Sequence, residues 1–260
     1  MELSGISGSV VLVTGAGRGI GQAIACALAN SKAKLAIADV DTDSLEKTRA
    51  LLGEDTDTFA RAIDITKRDA VERFVEDTCV HFGKIDSLVN VAGLQRLGNL
   101  TELSEADFEA TFAVNVKGAF LMTQSVTRRM AAQKKGAVVT ISSNAALVPR
   151  VKQGAYCASK AAVSHLMRVF ALELGPSGVR CNCVDPGATE TDMIRNMVAT
   201  MGIGDLLLHG SLESFRIGTP LQKNAQVGDV ANAVMFLLSD QAGHITMHDL
   251  VVDGGATLGA

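Results

Sequence analysis

Short apolar runs alternate along the chain with longer stretches in which apolar residues recur every three or four positions. The runs at 10–14, 34–39, 88–91, 136–142 and 179–184 are nearly unbroken and rich in Val, Ile, Leu and Ala. Apolar runs without polar alternation fit strands covered on both faces. A weaker run spans 58–63, and a last one 249–253. Between the runs, the 3.6-residue rhythm predicts helices over 20–30, 43–52, 67–82, 105–131 and 155–174. Strand–helix alternation of this kind implies right-handed crossovers. The expected fold is α/β: a single-domain Rossmann-type doubly wound parallel sheet over residues 1–260, with helices on both faces. Only residues 192–218 depart from the rhythm. They are rich in Met and Leu and are spaced by Gly202, Gly204 and Gly210. They follow the sixth strand, on the edge where ligands enter such sheets. A substrate lid and an ordinary helical insertion both fit them.

Composition narrows the function classes. Hydrophobic residues make up 47% of the 260, but aromatics only 4%, and Trp is absent, so aliphatic side chains must fill the core. The net charge of −4 comes without a basic block. That argues against nucleic acid as a partner, since phosphates need clustered Lys and Arg. No apolar run approaches the ~18 residues of a membrane-spanning helix. Residues 1–8 carry Glu2 and no positive segment, so the expected location is cytoplasmic. The five cysteines and five histidines form no ligand spacing, and no metal is expected. Cys181 and Cys183 read as small core residues of a strand.

Thr14 to Gly21 directly follows the first strand and opens the first helix. Gly15, Gly19 and Gly21 let the backbone turn and approach a pyrophosphate, which the amides of Arg18, Ile20 and their neighbours can meet at the helix N-terminus. A glycine-rich turn alone is weak evidence; its place between strand and helix strengthens it. Asp39 ends the second strand, eighteen residues beyond Gly21. A carboxylate there can accept the hydroxyls of an adenine ribose and would repel a 2′-phosphate, which favours NAD over NADP. Arg18 pulls the other way, since it could meet that phosphate. Asp64 and Ile65 follow the third strand. Asp64 either bonds an adenine amino group or caps its own loop.

Tyr156 and Lys160 stand four residues apart, on one helical face. A phenol with an ordinary pKa of about 10 is a poor base at neutral pH, and a nearby ammonium is expected to lower it. Ser143 lies thirteen residues before Tyr156, at the end of a strand, where its hydroxyl can hold a substrate oxygen. With Thr14 to Gly21, Asn90-Val91-Ala92-Gly93, Asn115 and Asp185-Pro186-Gly187, these residues make the chain resemble the short-chain dehydrogenase/reductase family along essentially its whole length. The resemblance implies hydride transfer at a secondary alcohol or ketone, with Ser143, Tyr156 and Lys160 in the chemistry. It implies that Asn115 holds a water in a proton relay behind Lys160. It places Asn90, Ala92, Gly93, Pro186, Gly187, Thr189 and Thr191 against the cofactor, with Lys160 also on the nicotinamide ribose. It further implies a homotetramer built through 105–131 and 155–174. Val91 departs from the family, which usually has a second Asn there. A cofactor-sensing regulator without catalysis is the rival class, but it would typically lack Ser, Tyr or Lys.

Longer stretches at 112–116, 178–182 and above all 244–260 resemble the branch of this family that oxidises a cyclohexadiene diol bearing a carboxylate. Such a small carboxylate-bearing cyclic alcohol needs a cation near the pocket. Arg96 and Arg150 stand in loops on the expected edge of the sheet, and Arg216 in the lid region. A guanidinium can grip a carboxylate with two parallel bonds. An amino-bearing analogue of that diol, and a carrier-protein-linked ketone reduction, remain open alternatives.

Overall fold

A computed structural model describes residues 3–201 and 204–260. Seven strands make one parallel sheet: β1 (Val10–Thr14), β2 (Lys34–Asp39), β3 (Thr58–Ala62), β4 (Ser87–Asn90), β5 (Gly136–Ile141), β6 (Val179–Pro186) and β9 (Asp249–Val252). Their order across the sheet is β3-β2-β1-β4-β5-β6-β9. The chain winds outward from β1 in one direction, then returns to β4 and winds in the other. The crossovers therefore part between β1 and β4, opening a crevice at the C-terminal strand ends.

Two apolar layers hold the helices to the sheet. Val11 and Val13 of β1 face the layer of α1 (Gly19–Asn30). Leu12 points the opposite way, into the layer of α3 (Arg68–Phe82). Strand alternation thus explains why β1 reads as unbroken Val and Leu: both of its faces are covered. Ile24, Ala25 and Leu28 of α1 fill the first layer, and Phe74, Met122, Val163 and Met167 the second. Each fully buried aliphatic chain contributes about 1.5–3 kcal/mol. The first layer has a second helix, α9 (Val227–Leu238), whose Val230 and Val234 are fully buried. The rhythm above did not single it out. Its N-terminus carries a capping box, in which Gln226 accepts from the backbone N–H of Asp229 and the Asp229 carboxylate accepts from the backbone of Gln226.

The other elements follow the expected pattern, with ends moved by a residue or two. α2 is Thr42–Leu52, and α6 (Gly154–Leu174) is the long helix that carries Tyr156 and Lys160. The expected helix over 105–131 is not continuous. It consists of α4 (Glu105–Phe112), a π turn (Ala113–Gly118) and α5 (Ala119–Gln133). Such π turns mark places where a side chain is re-aimed within a helix. Here the side chain is Asn115. Its Oδ1 accepts from Leu94 N at 2.7 Å, while Nδ2 donates to Leu94 O at 2.8 Å and to Ser159 Oγ at 2.9 Å.

Residues 192–218 form α7 (Asp192–Met201), α8 (Gly204–His209) and a small antiparallel pair, β7 (Gly210–Ser211) and β8 (Arg216–Ile217). The segment is tied down by Leu207, which is buried, and by Thr219, whose hydroxyl donates to Leu207 O at 3.0 Å. Among the described residues no helix is long and apolar enough to cross a membrane, and no group of three metal-ligating side chains occurs.

Candidate active site

The crevice at the strand ends opens into a cavity of about 1260 Å³. The turn after β1 forms its floor, and two glycines there have no substitute. A Cβ on Gly15, where φ is +63°, would lie 2.6 Å from Ala92 N. One on Gly21 would lie 2.0 Å from Gly15 O. Helix α1 begins at Gly19 with no side-chain cap and no acidic residue in its first turn. Its unpaired amides therefore face the cavity with their positive dipole end. Thr48 braces the turn from α2, donating to Ala16 O at 2.9 Å. Asp39 lines the same end of the cavity, and its Oδ2 accepts from Gly17 N at 2.8 Å. That bond holds the carboxylate at the rim with acceptor capacity to spare. Arg18 also lines the cavity, and its charge acts on the nearby Asp41 carboxylate.

Asp64 and Ile65 border the cavity beyond β3. Asp64 caps its own turn, accepting from Thr66 N at 2.9 Å. Ile65 packs where a Cβ on Gly118 would stand, 2.6 Å away. Ala92 and Gly93 form the adjoining wall. The Asn90 side chain turns away from the cavity. It is buried in the second apolar layer and donates to Thr123 Oγ1 at 3.0 Å and Thr140 Oγ1 at 3.2 Å. The pleat of β4 turns that side chain toward α5, away from the strand end. Asn115 likewise sits behind the wall, joining the 94 backbone to Ser159 of α6. On the opposite wall stand Pro186, Gly187, Thr189 and Thr191, which continue β6.

Ser143, Tyr156 and Lys160 converge at the centre. Ser143 ends the β5 segment in extended backbone and caps a short 3-10 turn. Tyr156 faces it from α6, and Lys160 stands one turn further on, with Nζ 5.6 Å from the Tyr156 ring centre. The electrostatics differ from the expectation that Lys160 lowers the phenol. Burial pushes Tyr156 up to about 12, and a hydrogen bond with the Ser143 hydroxyl opposes the rise. Lys160 instead donates to Ile141 O at 2.8 Å. Burial pushes Lys160 down to about 8, with the charge of Asp185 opposing. Desolvation sets the phenol, and the Lys160 ammonium does not offset it.

The three arginines part company. Arg96 lines the cavity, but its Nε meets Asp107 at 3.2 Å and its side chain is half exposed. Arg150 and Arg216 reach the same cavity from different elements, and each has a buried guanidinium nitrogen without a hydrogen-bond partner. Burial pushes Arg216 down to about 10, and the charge of Arg150 adds to the fall. Two like charges held together in this way form a site for an anion. Asp185 is a residue whose position the motif Asp185-Pro186-Gly187 did not foretell. An acid at the buried end of β6 was the available signal; it lies fully buried, and its charge acts on Lys160.

Residues 15–257 match the family model described as enoyl-(acyl carrier protein) reductase. The chain is 44% identical to the 2,3-dihydro-2,3-dihydroxybenzoate dehydrogenase of Bacillus subtilis (strain 168), over all of both chains. It is 41% identical to the enzyme of the same name from Escherichia coli (strain K12), covering 98% of this chain and 99% of that one. In fold it resembles an NAD+-bound xylitol dehydrogenase, with a TM-score of 0.89, 29% identity and coverage of 97% and 100%. Sequence and fold agree over nearly the full length, and the chain belongs to the short-chain dehydrogenase/reductase family.

Proposed function

We propose that this protein oxidises 2,3-dihydro-2,3-dihydroxybenzoate to 2,3-dihydroxybenzoate, a building block of catechol siderophores, using NAD. Relatives at 39–44% identity bear the name of that activity. The observation that carries the reading to this chain is the pair Arg150 and Arg216. Both line the same cavity as Ser143 and Tyr156, and a ring carboxylate there would meet their two positive charges. A carrier-protein-linked ketone has no such anion on the reacting end.

The residues present fit a dinucleotide. The Gly15–Gly21 turn leaves room where any Cβ would close it, and the start of α1 receives a pyrophosphate. Asp39 selects the ribose diol of NAD and would repel a 2′-phosphate. When bound, the nicotinamide supplies the hydride acceptor. Ser143 holds the hydroxyl on the reacting carbon. Tyr156 takes the hydroxyl proton as the C–H bond breaks. The charge of Lys160 favours the phenolate that this requires. Asn115 ties the backbone of Leu94 to Ser159, so the Lys160 turn of α6 is fixed against the cavity wall. The ketone that leaves carries an acidic ring hydrogen, and its enolisation to a catechol makes the oxidation effectively irreversible.

The test is direct. Purified protein, NAD and the dihydrodiol acid should yield NADH and the catechol acid in equal amounts. NADH formation from other secondary alcohols but not from this acid would reject the substrate and keep the reaction class. No turnover with any alcohol would favour a cofactor-sensing role.

A further inference from the structure

Beneath the reacting groups, α6 carries Lys160, Ser164 and Arg168 at four-residue spacing, which aligns them on one face. That face packs on β6, and its Arg168 reaches β9. Ser164 donates to Ser142 Oγ at 2.7 Å, and Ser142 donates to Lys160 O at 3.1 Å. Arg168 pairs with Asp249, the β9 residue in register with Cys183. Two residues on from Cys183, and so on the same face of β6, is Asp185. It has no exposed surface, and neither carboxylate oxygen has a hydrogen-bond partner. The Ser143 backbone amide faces it without reaching hydrogen-bond geometry. A buried carboxylate left without hydrogen bonds is destabilising unless a nearby charge offsets it. The charges around it are Lys160 and Arg168 from α6 and Asp249 from β9; the Cys183 thiol and the Tyr156 phenol are the other ionisable neighbours.

We propose that Asp185 is a positioning residue for Lys160: its buried carboxylate keeps the lysine charged and so sets the alkaline limit of turnover. The proposal rests on the role given above to Tyr156 and Lys160. Burial and the charge of Asp249 raise Asp185 to about 7, while Lys160 and Arg168 pull it back. Burial lowers Lys160 to about 8, and Asp185 is the leading charge that resists this. Each charge thus favours the ionised form of the other. As Lys160 loses its proton, the positive charge that favours ionisation of Tyr156 is lost. Without the carboxylate that loss comes at lower pH.

The experiment compares wild type with Asp185→Asn and Asp185→Ser, which remove the charge with different shapes. In each, kcat/KM is followed against pH, Tm confirms folding, and Lys160 is titrated by NMR on lysine-labelled protein. The Lys160 signal is identified by its loss in Lys160→Arg. An opposite charge nearby typically moves a pKa by about 1–3 units. Both variants should therefore show Lys160 titrating at least about one unit lower, with the alkaline limb of kcat/KM moved by a similar amount. A merely structural role would scale the rate at every pH without moving the limb. An unchanged Lys160 titration in the two folded variants would overturn the proposal. A lowered titration with an unmoved limb would overturn its link to turnover, and with it the part assigned to Lys160. The NMR arm needs no substrate, so it stands even if the proposed substrate is wrong.

Discussion

Replacing Arg150 by Ala separates substrate recognition from everything else in the cavity. In the folded protein Arg216 is held at about 10, against an ordinary 12.5, by burial and by the charge of Arg150. At about 1.4 kcal/mol per unit, that is at most about 3.5 kcal/mol set against its charged form, and less in practice because water still reaches the pair. A bound carboxylate relieves this repulsion. Truncating one partner of a buried charge pair costs about 2–5 kcal/mol. Both arginines are only half buried, so the low end applies: about 2 kcal/mol, or roughly 30-fold in kcat/KM. Arg150→Ala should therefore lose roughly that much on the dihydrodiol acid and little on the neutral diol lacking the carboxylate. The same change removes a like charge from Arg216, so Tm should hold or rise. Arg150→Lys should rescue only partly, because an ammonium cannot form the two-pronged contact. The assay is steady-state NADH formation with both substrates, together with thermal unfolding. Equal losses on acid and neutral diol, or a fall in Tm, would mean loop damage and refute the anchor.

Other outcomes follow from the same geometry. Tyr156→Phe should reduce turnover by about 10²–10⁴-fold while NAD binding, measured by titration, stays nearly unchanged; near-normal turnover would remove Tyr156 from the proton transfer. Asp39→Ala should lower the ratio of kcat/KM for NAD over NADP, and a wild type that already prefers NADP would shift the assignment to Arg18. Gly21→Ala puts a Cβ 2.0 Å from Gly15 O, so the turn must open. Overpacking of that kind costs about 1–3 kcal/mol, and both Tm and NAD affinity should fall; an unchanged NAD affinity would place the dinucleotide elsewhere.

The sheet was legible because covered strands are written as unbroken Val, Ile and Ala, and β1, β2 and β5 stand where those runs stand. The loop glycines, Asp39, Ser143, Tyr156 and Lys160 were legible for a related reason. Each sits at a strand end or on a helix face that local spacing alone determines. What depends on contacts between distant segments was not. The Arg96–Asp107 pair and the meeting of Arg150 with Arg216 join parts of the chain that no periodicity relates. Asn90 follows the pleat into the core, although its motif ends at the cavity. Helix α9 was overlooked although its capping box and its buried Val230 and Val234 carry the signal.

The π turn at Ala113–Gly118 also has a consequence for what changes of length the chain tolerates. A π turn is a helix that has accepted one surplus residue. Each α-helical residue advances the winding by about 100°. The wider π turn spreads its surplus residue over nearly the same winding, so removing one here would restore a regular helix with α4 and α5 close to their present orientation but the residues between them re-aimed. The Asn115 amide would then no longer reach Leu94 and Ser159 together. An exposed loop absorbs the loss of one residue by slackening or tightening. This helix cannot, because the surplus residue is what aims the amide, and a shorter version would run smoothly past the contacts it now makes.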